Sequence, residues 1–166
     1  MARLIFIGAF LVWALFVTAS DIRCRRISNA LAVTGGVVGY SATFLYANPF
    51  NTFPIQAMTG MSIGLIAFFP FFMLRVMGAA DVKVFAVLGV WCGVHALLWL
   101  WIVASLAAGV HALGLMLLSR TSFSALWRRG EFAVMLGRYR ATPYAACLAA
   151  PAAAWLVYRV ATGGTQ

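Results

Sequence analysis

From Val84 to Leu118 the chain runs for 35 residues without one formally charged side chain. As a single helix rising 1.5 Å per residue this run would measure about 50 Å, whereas the hydrocarbon core of a bilayer is about 30 Å thick. It therefore has to turn once, and an apolar medium is the only solvent that suits it. The rest of the chain repeats the pattern with apolar stretches at 4–20, 27–46, 55–74 and 143–160, divided by charged segments at 21–26, 75–83 and 119–142 and by an uncharged connection at 48–54. Charged residues make up 9% of the sequence, against about 25% in a soluble domain. The expected fold class is all-α: a polytopic membrane protein of about six transmembrane helices, forming one embedded domain over residues 1–166.

Local signals set the boundaries. The stretch 4–20 ends at Asp21, and the polar segment DIRCRR at 21–26 follows it. Because further apolar spans come after, 4–20 reads as a retained first helix rather than a cleaved leader. The second span opens ISNALAVTGG, where Ser28 or Asn29 suits a helix cap. Gly35, Gly36 and Gly39 there permit close helix contact. The connection NPFNTFP, 48–54, has the composition of a turn. Pro70 near the end of the third span and Pro151 in the middle of the last predict a kink or bend. The long run divides near Gly93–Ala96 into spans at about 82–94 and 97–118. Segment 119–142 reads as a basic cytoplasmic loop whose LWRRGEFAVMLGRYR stretch suits an amphipathic interfacial helix, and 161–166 reads as a flexible tail.

Charge fixes the expected orientation. Segments 21–26, 75–83 and 119–142 hold ten of the twelve basic residues, and six spans would place all three on one side. The excess of Lys and Arg on cytoplasmic loops then puts these segments in the cytoplasm and both termini opposite. The formal charge of +9 does not point to nucleic acid, because no separate polar domain exists to hold it. Its natural partners are anionic lipid headgroups.

Few side chains here can carry chemistry. Cys24, Cys92 and Cys147 form no C-x-x-C pair, and His95 and His111 lie sixteen residues apart with no adjacent ligand set, so neither a metal nor a cofactor is implied. The six Trp residues suit membrane packing and interfaces. What stands out is Asp21 and Asp81, the only aspartates, with Glu131 the only other acid. Each lies where an expected cytoplasmic connection meets a helix end. Pairing with Arg23, Arg25, Arg26 or Lys83 would leave them an ordinary topological role. Brought together instead, two carboxyl groups can share one proton. One then deprotonates a water while the other polarises a peptide carbonyl. Intramembrane acids also serve proton- or cation-coupled transporters.

The surroundings of the two aspartates resemble the type IV prepilin peptidase family of membrane aspartic proteases, in particular its short members associated with Flp/Tad-type pili. The segment D21-I-R-C-R-R-I-S-N29 matches a family pattern of Asp, a basic linker and Ile-Pro-Asn. The segment G78-A-A-D-V-K83 matches Gly-x-Gly-Asp followed by a hydrophobic residue and Lys. The resemblance implies Asp21 and Asp81 as a catalytic dyad, with Gly78, Ala80, Lys83 and Asn29 in support. It implies a prepilin or pseudopilin precursor as substrate, cut at the cytoplasmic face of the bacterial inner membrane between its basic leader and its apolar helix. With six residues between the first two spans and no cysteine pairs, the chain lacks the region associated with methyl transfer in longer members. Ser28 replaces the family's Pro, and Ala80 replaces the second Gly of Gly-x-Gly-Asp. If position 80 needs a positive φ or close approach of the substrate, alanine there would impair the site and leave a silent pilus-assembly protein. If it only begins a helix, alanine is harmless.

Overall fold

A computed structural model describes residues 1–24, 26–75, 77–118 and 144–162. All its regular elements are helices: α1 (Ala2–Cys24), α2 (Asn29–Phe44), α3 (Pro54–Met73), α4 (Ala79–Leu118) and α5 (Tyr144–Ala161). The basic segment 119–142 and residues 163–166 lie outside the described residues. Ala161 still belongs to α5, and the Thr162 N–H bonds back to the Tyr158 carbonyl at 3.0 Å.

Among the described residues, four helical stretches are long and apolar enough to cross a bilayer: Ala2–Cys24, Pro54–Met73, Ala79–Gly114 and Tyr144–Ala161. The chain is a multi-pass membrane protein. Two of the six expected spans are shorter: α2 has 16 residues, and the long α4 is divided. Its break falls at Gly93, whose φ of 71° and ψ of 177° are not helical. The position is within the window where the sequence predicts a turn. Helix α3 continues through Pro70 to Met73, and α5 runs through Pro151.

The two arms of α4 fold back on each other. Asp81 and Ser105 would lie about 36 Å apart along a straight helix. Both instead meet the first turn of α5, through hydrogen bonds to Ala145 and Tyr144 respectively. Midway along the arms, Phe85 and Trp101 flank the Phe68 ring of α3, with centroids 4.1 and 6.5 Å from it. Gly93 is therefore the apex of a helical hairpin. The break frees the carbonyl of Trp91 from its helical partner, and Thr52 Oγ1 donates to that oxygen at 2.8 Å. A free carbonyl in an apolar interior is costly, so this bond secures the turn.

Segment 47–53 is a buried plug rather than a surface turn. Ala47, Asn48, Pro49, Phe50 and Thr52 are all buried. Phe50 sets its ring edge-on against Phe10 at 5.1 Å and tilted against Trp155 at 5.2 Å, joining α1 to α5. Arg3 at the start of α1 donates to Asn51 Oδ1.

Small residues set the helix spacing. Gly60 of α3 lies against Gly89 of α4, backbone on backbone, so that a methyl group on either would collide with the other's main chain. Neither glycine stands out in the sequence. Gly35 and Gly39 do, as a close-contact surface, and that surface receives tryptophan rings: Trp13 of α1 lies over Gly35 and Trp91 of α4 over Gly39. Each indole N–H finds a main-chain carbonyl, Trp13 Nε1 that of Leu31 at 2.9 Å and Trp91 Nε1 that of Gly35 at 3.0 Å. Satisfying the polar edge lets so large a ring be buried. Gly36 faces open space apart from a distant Val87 methyl.

Candidate active site

Asp21 lies in the last turn of α1 and is 5% exposed. Asp81 occupies the first turn of α4 and is half-buried. Sixty residues apart in sequence, the two carboxylates come within electrostatic reach of each other. Both end on the first turn of α5. The Ala146 N–H donates to Asp21 Oδ2 at 2.8 Å, and the Ala145 N–H donates to the Asp81 carboxyl group. These amides have no partner within their own helix, because the first turn of any α-helix leaves its N–H groups unbonded. The helix dipole adds a partial positive charge at the same place.

Of the other positions singled out in the sequence, Gly78 touches this pair. The Gly78 N–H also hydrogen-bonds the Asp81 carboxyl group, and a Cβ at Gly78 would stand 3.3 Å from Asp81 Oδ2. Its φ is not in the left-handed region, so what Gly78 supplies is close approach rather than an unusual turn. Ala80 is the second residue of α4 and packs against the core with ordinary helical backbone. Position 80 begins a helix, so its backbone does not require glycine. Ser28 caps α2, accepting the Leu31 N–H at 3.2 Å. That leaves Asn29 free to receive Lys83 Nζ at 2.5 Å, which ties the start of α2 to the start of α4.

Four contributors are not visible in the motifs. Ala145 and Ala146 act through their main chain, and alanine in an apolar run gives no signal of that. Cys147, next along, is half-buried with its thiol within electrostatic reach of both aspartates. Tyr144 OH pairs with Ser105 Oγ at 3.1 Å. The one available hint was Pro143, which marks a helix start directly ahead of these residues. His95 and His111 lie exposed on α4. Among the described residues, no three His, Cys, Asp or Glu side chains converge to hold a metal ion.

An arrangement of two neighbouring carboxyl groups, one deeply buried and the other reachable, suits proton transfer to and from a bound water. It also suits polarisation of a carbonyl by whichever group holds the proton. No curated protein and no solved structure matches the chain. The model of the type IV leader peptidase family matches residues 8–113, more than half of the sequence and a stretch that includes both aspartates. With that match over α1 to α4, the chain belongs to the type IV leader peptidase family.

Proposed function

We propose that this protein is an aspartic endopeptidase that removes the basic leader of prepilin or pseudopilin precursors, with Asp21 and Asp81 as the catalytic pair. The observation that carries the reading is the meeting of these two carboxylates, sixty residues apart within the matched region, on consecutive amides of one helix. One carboxylate takes a proton from water as the oxygen attacks the scissile carbonyl carbon. The partner, protonated, gives its proton to the carbonyl oxygen, so the tetrahedral species is a neutral gem-diol. On collapse the first group passes its new proton to the departing nitrogen. The C–N bond breaks, and the second group recovers a proton from a diol hydroxyl. Both carboxyl groups end as they began.

Family membership and charge support this substrate class. The basic clusters at 21–26 and 75–83 adjoin the two aspartates, and on the positive-inside rule they face the cytoplasm. A leader rich in Lys and Arg would be repelled by these arginines unless anionic headgroups orient it, while the precursor's apolar helix remains in the bilayer. Cleavage therefore falls at the cytoplasmic surface of the inner membrane. No methyl transfer to the new N-terminus is expected, since the connection between α1 and α2 is a few residues long.

The test is incubation of the purified protein with candidate precursors in vesicles, read by the mass of the released leader. Asp21→Asn and Asp81→Asn should each insert normally and abolish cleavage. Full cleavage by either would overturn the shared mechanism. Precursor binding without processing by the wild type would identify a silent assembly protein instead.

A further inference from the structure

The family match ends at residue 113, yet the described contacts of both aspartates run to residues 145 and 146. Helix α5 packs against α1 and α4, the two helices that carry the acids. Its first turn presents two successive N–H groups, one to each carboxylate. Two carboxylates side by side repel whenever both are ionised, and in an apolar medium that repulsion is poorly screened. Something must hold them at working distance. The free amides and positive end of α5 are placed to do so.

The turn is itself anchored. Tyr144 OH bonds to Ser105 Oγ on the returning arm of α4, 24 residues beyond Asp81. Ala145, Ala146, Leu148 and Ala149 are buried against the core. These contacts fix the turn against both arms of the α4 hairpin.

We propose that the first turn of α5 is a positioning element of the active site, in which the main-chain N–H groups of Ala145 and Ala146 hold Asp81 and Asp21 side by side, and Ser105 with Tyr144 fixes that turn in place. This rests on the peptidase reading above and extends the catalytic unit beyond the matched region. The side chains at 145 and 146 matter little in this account; the hydrogen on the nitrogen matters.

Proline separates the two. In the first turn of a helix it removes the N–H while its φ stays compatible with the helix start. Glycine keeps the N–H and loosens the helix instead. The experiment compares A145P, A146P, A145G and A146G in the full-length protein, with kcat, KM and melting temperature measured on a cleavable precursor. Each Pro variant should lose about a hundredfold or more in kcat, the scale of a misplaced catalytic group. KM should stay within about twofold, as expected when ground-state binding is untouched. The Gly variants should lose far less. Wild-type rates in both Pro variants, or equal losses in the Gly and Pro pairs, would overturn the proposal. If a Pro variant does not fold, an ester linkage at Ala146, made by placing lactic acid there, removes the same hydrogen with little change of shape and is read in the same way.

Failure of the peptidase reading is distinguishable. If the wild type cleaves no precursor, the clamp is judged by unfolding alone, using D21L, A146P and the double variant. Losses in melting temperature that are less than additive support it, and additive losses overturn it.

Discussion

Lys83 Nζ donates to Asn29 Oδ1 at 2.5 Å, joining the helix that begins beside Asp81 to the helix that follows Asp21. Lys83 lies two positions beyond Asp81 and Asn29 eight beyond Asp21, so the bond ties together the two segments that converge on the site. Its donor is charged, but the pair is partly exposed. Solvent screening holds its worth to about 1 kcal/mol. Asn29→Ala and Lys83→Met should each cost that amount in thermal unfolding, and the double variant should cost no more than either. Additive losses would show that the two side chains act separately.

Ala80→Gly restores the residue that the family motif favours, and here it should bring no gain. Ala80 has ordinary helical backbone in the first turn of α4 and packs against the core. Removing its methyl group loosens the helix start by up to about 1 kcal/mol. Cleavage by the variant should equal or fall below that of the wild type. A clear rise in kcat would mean that the methyl group obstructs substrate, and would reverse this reading of position 80.

Much of this architecture is legible in the sequence because the signals are local. Apolar run length marks the helices, Ser28 or Asn29 marks a helix cap, and Gly93–Ala96 marks the division of a run too long to stay straight. The two acids stand out because acids are scarce. What local signals cannot express is pairing. Gly60 and Gly89 look like any glycines in apolar helices, and only the packing of α3 on α4 makes them a contact. Segment 48–54 has turn composition, and nothing in it foretells that Phe50 is needed between Phe10 and Trp155. The amides of Ala145 and Ala146 are further still from view, since every residue but proline has one.

The Gly60–Gly89 contact should be the least forgiving place in the membrane region. A Cβ at Gly60 would overlap the Gly89 carbonyl, and one at Gly89 would overlap that of Gly60. Helix backbones cannot yield as the far end of a side chain can, so α3 and α4 would have to separate. Gly60→Ala and Gly89→Ala should each destabilise by about 1–3 kcal/mol, the usual scale for overpacking. Gly36→Ala serves as the comparison, because its position is open. Unfolding in detergent should rank the first two well below the third. Equal stability of all three would show that these helices do not approach so closely.

Cys147 offers a chemical probe of the pair. Its thiol is within electrostatic reach of both carboxylates and is half-buried, whereas Cys92 is buried. Cys24 is exposed and would react first, so the measurement belongs in a Cys24→Ala background. There a small thiol reagent should block cleavage by crowding the dyad, and a Cys147→Ala variant should resist it. Persistent activity after complete labelling of Cys147, verified by mass, would place the thiol away from the reacting atoms.

The apex of the α4 hairpin allows the last test, which links a distant backbone angle to the site. Gly93 has φ 71° and ψ 177°, a region almost closed to residues with a Cβ, where strain amounts to about 1–3 kcal/mol. A methyl group there would also lie 3.5 Å from Thr52 Cγ2. The strain can be relieved only by turning the returning arm, and that arm carries Ser105, the partner of Tyr144. Gly93→Ala should therefore lower both melting temperature and kcat, although it lies twelve residues from Asp81. Thr52→Val leaves the angle alone and removes the donor to the Trp91 carbonyl, so it should lower stability by about 1–3 kcal/mol with a smaller effect on kcat. If Gly93→Ala loses stability but keeps its full kcat, the returning arm does not govern the geometry of the acids, and the apex is a packing feature alone.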